Sequence, residues 1–350
     1  MLIETFLFLL LFSKVNVLVS SVVQALFLIT VVISYFILTP KTTFRTLLFQ
    51  FYLISCILIG VAINHASIIF ALKNAAYILL LPILRYIIKL DFFEKKIIFL
   101  LCITAVAVIW FSLSPSSYVS TDFGGRSRMV GFGVNPNVWG LVCVLLLCNF
   151  RSWLAVNFNC GLLLSFLLTI SIFLSGSQTA ILFLPICFTS KFKWIFSYFI
   201  LLFLCFIYLY FFEFDIIVSH APSLIARFDL WKKGFDVFTV NDILFGKGYS
   251  YFGAGFSTVD KNDIRIIDSF YISSFISGGV FIFVPVLFYY FIYPLFIGIK
   301  NNNVLLVKIV LIFMIANSTG NFIENGFPSN VIYWIMVLSM LNRYTNLIRF

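Results

Sequence analysis

Residues 17–38 read VLVSSVVQALFLITVVISYFIL, twenty-two positions without a charge. As a helix rising 1.5 Å per residue the run is about 33 Å long, against about 30 Å of hydrocarbon in a bilayer. Similar runs lie on both sides of it. We read spans at 2–13, 17–38, 46–63, 67–88, 97–113, 137–150, 158–175, 177–190, 194–212, 269–297, 304–320 and 331–345. Strict period-2 alternation is absent, which disfavours a membrane β-barrel. Of the 350 residues 62% are hydrophobic and 10% charged, whereas a soluble domain carries about 25% charged residues. The mean hydropathy is +1.11. The expected fold class is an all-α polytopic membrane protein of about twelve transmembrane helices, forming one integral domain over 1–350. The first run carries Glu4 and lacks a basic start, so it reads as a short span and not as a cleavable leader.

Lysine and arginine set the expected orientation. Lys41, Arg45, Lys89, Lys95, Lys96, Arg151, Lys191, Lys193, Lys300, Arg343 and Arg349 fall on one side of this span order. The opposite short loops hold Lys14 and little else. The basic side is expected to be cytoplasmic, with both termini there. The long loops 114–136 and 213–268, the second between helices 9 and 10, then lie outside. The net charge of +10 is mostly this topology signal. It is not a nucleic-acid patch, and no nucleic-acid partner is expected.

The seven cysteines fall inside apolar runs and read as small hydrophobes. His65 and His220 are far apart, and there is no Cys/His cluster or Asp-x-Asp pair, so no metal or other cofactor is expected.

Polar residues in so apolar a chain carry the functional reading. The stretch 124–140, GGRSRMVGFGVNPNVWG, places Arg126 and Arg128 in an outer loop, against the charge rule. Arginine is suited to bidentate phosphate or carboxylate binding; the plainer alternatives are a solvated charge or an ion pair with Asp122. Asn135 fits a helix N-cap and Pro136 the first turn, leaving Asn137 beside a helix start that favours an anion. The segment LSGSQTA, 174–180, reads as a helix hairpin with a serine cap.

In 213–268, Leu224, Phe228, Trp231, Phe235 and Phe238 recur at helical spacing. They mark an amphipathic helix over about 222–239 that is expected to lie in the bilayer interface, with Arg227 flanking its apolar stripe. The Gly- and aromatic-rich segment that follows, with Lys247, reads as a tight turn. Asp268 opens the tenth span, as an N-cap or as a general base, and Tyr271 stands one turn on. His220 and Glu324 are further candidate bases. Lys73 is a candidate cavity charge, whereas Lys308 is close enough to its span's end to snorkel.

The motifs RSRMVGFGVNPNVWG, LSGSQTA, ARFDLWKKGFDVFTVNDILFGKGYSYF and DSFYISSFISGGVF resemble, in order and topology, the O-antigen polymerase (Wzy) family. That family shares a superfamily with the O-antigen ligases. The resemblance covers about 110–285. It implies a GT-C-type glycosyltransferase of the bacterial inner membrane that uses no nucleotide sugar. Its substrates would be oligosaccharide repeat units linked through pyrophosphate to undecaprenol. The growing glycan would move to the non-reducing end of a new unit on the periplasmic face. A metal-independent site is implied, with Arg126, Arg128 and Arg227 on the pyrophosphate. Asp268 would be the catalytic base, with His220 and Glu324 in reserve. Asn135, Asn137, Lys73, Lys247 and Tyr271 would contact substrate. Membrane lipid, a chain-length regulator and a repeat-unit flippase are the implied partners. Ligases of the superfamily carry a histidine where this chain has Asp268, which favours polymerase over ligase. A lipid-linked sugar transporter is the alternative from another class.

Overall fold

The computed structural model describes residues 2–12, 17–38, 44–64, 71, 76, 93–113, 119–121, 127–131, 135–212, 222–236, 238–248, 269–320 and 328–345. Its helices follow the uncharged runs. They are α1 (Leu2–Phe12), α2 (Val17–Leu38), α3 (Phe44–Ile63), α4 (Ile97–Leu113), α5 (Pro136–Leu147), α6 (Phe150–Val156) and α7 (Phe158–Ser175). Next come α8 (Gln178–Phe188), α9 (Phe192–Phe212), α10 (Pro222–Asp236) and α11 (Phe270–Leu287). A π-helical turn over Phe288–Ile292 joins α11 to α12 (Tyr293–Lys300), and α13 (Val304–Thr319) and α14 (Ser329–Thr345) follow. The expected span at 67–88 lies outside the described residues.

The apolar helices make this an all-α membrane protein, with one small exception. Strands β1 (Val119–Thr121) and β2 (Ser127–Met129) pair antiparallel, with Ser120 opposite Arg128. Three residues per strand are too few to show in the sequence pattern.

α5 is the central element. Nearly all of it is buried, and it packs on α7, α8, α13, α14 and β2. By contrast α9 turns Ile200, Leu201, Phe203, Leu204 and Phe211 outward. So many exposed large apolar side chains on one helix suit acyl chains and not water.

Two expected spans are not straight. The run expected over 137–150 stops at Leu147, bends by 54° and continues as α6. The larger departure is in the tenth span. Residues 270–300 have the length and composition of one crossing helix, but Gly279 is non-helical, with φ 60° and ψ −171°. In a straight helix Phe270 and Phe291 would be about 31 Å apart. Their ring centroids are 6.3 Å apart, and Tyr271 is 5.8 Å from Phe291. Phe275 and Phe283, four residues to either side of Gly279, are 5.6 Å apart. The chain therefore doubles back at Gly279. The arm 280–300 alone is about 31 Å long, still enough to cross. The helix before the reversal begins after Ser269, and its first residues lie against Phe291.

Lys308 also departs from expectation. It is buried instead of snorkelling. Its Nζ donates to the carbonyls of Cys187 (2.8 Å) and Thr189 (3.0 Å) at the C-terminal end of α8. That end of a helix leaves carbonyls unsatisfied and carries partial negative charge, so the ammonium is stabilised without leaving the bundle. Of the cysteines, Cys102 and Cys205 are exposed and Cys160 is partly so; only the other four are the buried hydrophobes expected.

Candidate functional site

Two motifs far apart in sequence, 126–140 and 174–180, meet around Arg128. It extends from β2, half-buried, and its Nε donates to the Ser175 carbonyl at 2.8 Å. Its Nη2 donates to Asn137 Oδ1, also at 2.8 Å. One planar guanidinium thus joins the hairpin, the α7–α8 turn and the first turn of α5. Both acceptors are neutral oxygens, and the two bonds fix the guanidinium plane.

Each partner is held by local chemistry. Asn135 is extended and its Oδ1 accepts the Asn137 N–H at 2.8 Å, with Pro136 in the first turn. This is the expected N-cap and proline start. Gly176 ends α7 in the left-handed region at φ 58°, where glycine carries no steric penalty. Ser177 then caps α8 by accepting from the Ala180 N–H. The turn sits hard against α5: a Cβ on Gly140 would meet Ser175 Oγ at 2.8 Å and Ser177 Cβ at 2.9 Å.

The second grouping surrounds the reversal at Gly279. Residues 238–248 follow α10 and form a clasp on α11. The N–H groups of Val280 and Phe281, which lose their helical acceptors at the break, donate to the carbonyls of Ile243 (2.8 Å) and Leu244 (3.2 Å). In return the Lys247 N–H donates to the Ile276 carbonyl at 2.7 Å. Asn64, at the end of α3, donates to the carbonyls of Gly246 (3.0 Å) and Gly60 (2.9 Å). These bonds satisfy within the protein the backbone groups that the break at Gly279 frees.

The clasp is closed by Asp242. Its Oδ2 accepts from Thr239 N–H (2.8 Å), Thr239 Oγ1 (2.6 Å) and Lys247 Nζ (2.8 Å). Burial pushes the carboxyl pKa up. The Lys247 ammonium and the Thr239 donors pull it down by more, leaving it below the usual 3.8. The sign follows. A depressed folded pKa gives stability that is present in full above pH 3.8 and lost as pH falls through the lower folded value. Amide hydrogen exchange at Lys247, Val280 and Phe281 should therefore stay slow from neutral pH to about pH 4. Asp242→Asn should raise exchange at these amides roughly tenfold at neutral pH, since it removes a charged hydrogen bond. Unchanged protection in that variant would contradict the role given to the carboxylate.

The expected site residues are therefore distributed. Arg128, Asn135 and Asn137 come together. Lys247 is held by Asp242. Tyr271 Oη donates to the Met314 carbonyl at 2.6 Å, a strut between α11 and α13. Arg227 lies on α10, half-buried. Arg126, His220, Asp268, Glu324 and Lys73 lie outside the described residues. The apolar stripe of α10 does not face one way. Trp231 and Phe238 pack on Ile276 of α11, with the Phe238 ring 5.1 Å from that of Phe275, while Phe235 remains exposed. Sequence reading missed Ser175 as the Arg128 acceptor, and Asn64 and Asp242 altogether. A serine-rich turn gives no sign that its carbonyl is the acceptor. Asp242 was signalled only by Thr239 three residues before it, a capping spacing. Among the described residues no group of three metal-ligating side chains occurs.

Comparison with known proteins returns no matching family model, no matching curated protein and no matching solved structure.

Proposed function

We propose that the chain is a glycosyltransferase that polymerises pyrophosphate-linked lipid oligosaccharides at the outer face of the bacterial inner membrane. In this reading it has about twelve spans, a GT-C-type arrangement and cytoplasmic termini. The observation that carries it is the convergence of RSRM, NPNVWG and LSGS on one guanidinium. Two of the four motifs that resemble the polymerase family, 126–140 and 174–180, meet at this residue.

In the transfer, the bond between the first sugar of the growing glycan and its phosphate breaks. The pyrophosphate leaves with the electron pair. An acceptor hydroxyl attacks the sugar carbon and gives its proton to a general base, for which Asp268 is assigned, with His220 and Glu324 in reserve. Arg128, already oriented by Ser175 and Asn137, would meet the charge developing on the leaving group; Arg126 and Arg227 are assigned to the same pyrophosphate. Such preorganisation is effective because no donor has to be reoriented as charge builds up.

A transporter of lipid-linked sugars is the second reading. The reversal at Gly279 favours it, since discontinuous helices recur at transporter sites. Deletion in the host separates the two. Loss of a polymerase should leave single repeat units on the surface glycan, whereas loss of a transporter should leave none. Unaltered glycan ladders would contradict both.

A further inference from the structure

We infer that the turn 240–244 is a membrane-inserting wedge, whose partner is the lipid of the protein's own bilayer. The stripe on α10 suggested that this helix itself lies in the interface. The structure spends Trp231 and Phe238 of that stripe on α11 instead. The apolar surface left outside belongs to the next turn. Val240 is 81% exposed and Leu244 51%, with Ile243 and Phe235 also exposed.

These side chains are placed by the clasp. The Ile243 and Leu244 carbonyls bond to Val280 and Phe281, and the Phe245 ring lies 5.1 Å from that of Phe281. Directly along the same arm, Phe281, Val284 and Phe288 are exposed, as are Leu58, Ile59 and Ile63 at the end of α3. The turn therefore continues the outward apolar surface of two membrane helices past the point where they end. Next to it, exposed Lys232 and Lys233 are balanced by exposed Asp229 and Asp236. Insertion rests on apolar area and not on net charge, so it should not require anionic lipid.

The test uses the full chain in phosphatidylcholine vesicles, with Cys102, Cys160 and Cys205 changed to serine. Val240→Cys carries an environment-sensitive fluorophore, and Asp236→Cys carries the same probe as comparator. The expected result at position 240 is several-fold quenching by phosphatidylcholine doxyl-labelled near the headgroup, with little effect of aqueous iodide. The probe at 236 should respond to iodide. Iodide quenching at 240 equal to that at 236 would overturn the inference. So would shielding of 240 from both quenchers, since that would mean that protein covers the turn. Neither readout depends on the transferase reading.

Discussion

Arg128→Ala should abolish long glycan chains while the protein remains in the membrane at normal level. The substitution removes the bonds to Ser175 and Asn137 together and deletes the charge they hold in place. Loss of one preorganised donor to a developing anion lowers turnover by about 10²–10³-fold. Arg128→Lys should not rescue it, because one ammonium cannot reproduce a planar fork reaching a carbonyl and an amide at once. Asn137→Asp separates electrostatics from architecture. The carboxylate would still accept from Arg128, so the hairpin stays docked, but it would add a negative charge where the leaving group's charge is to be met. Chain length should fall in that variant with no loss of thermal stability. Glycan ladders and protein levels for the three variants are the measurement. Wild-type ladders in Arg128→Ala would remove this residue from the mechanism.

Gly279→Ala should be strongly destabilising. At φ 60° and ψ −171°, a region essentially confined to glycine, an L side chain is strained by roughly 1–3 kcal/mol. Its Cβ would also overlap the Leu244 carbonyl and lie 2.6 Å from the Gly246 nitrogen, both of them backbone. The clasp would have to leave, taking with it the bonds to Val280, Phe281 and Lys247, each worth about 0.5–1.5 kcal/mol. The combined loss is on the order of 4 kcal/mol. Gly60→Ala is the internal comparison, since its Cβ would meet only the Phe245 carbonyl at 3.0 Å. Thermal unfolding in detergent should show a large drop for Gly279→Ala and a small one for Gly60→Ala. Equal, small shifts would contradict the clasp.

Most helices were legible because hydropathy alone reports an uncharged run long enough to cross a bilayer, and 17–38 and 158–175 begin and end where the sequence places them. Hydropathy has no access to the sign of φ. The run 269–297 is apolar throughout, so the reversal at Gly279 could not be seen. At Ser277-Gly278-Gly279 the chain is closely approached by the backbone of the loop 243–246. Lys308 was misjudged for a related reason: its distance from the helix end suggested an exit to water, whereas the α8 carbonyls offered a nearer partner. At the candidate site the local chemistry of Asn135 and Pro136 was legible because capping depends on neighbours in sequence. The docking of Arg128 on Ser175 joins residues 47 apart and was not.

The central claim is tested most directly with purified protein in detergent, where no compartments exist, supplied with synthetic repeat units on undecaprenyl pyrophosphate. The account expects a ladder of longer lipid-linked glycans and release of undecaprenyl pyrophosphate, both lost in Arg128→Ala. Unchanged repeat units after incubation with folded protein would contradict it.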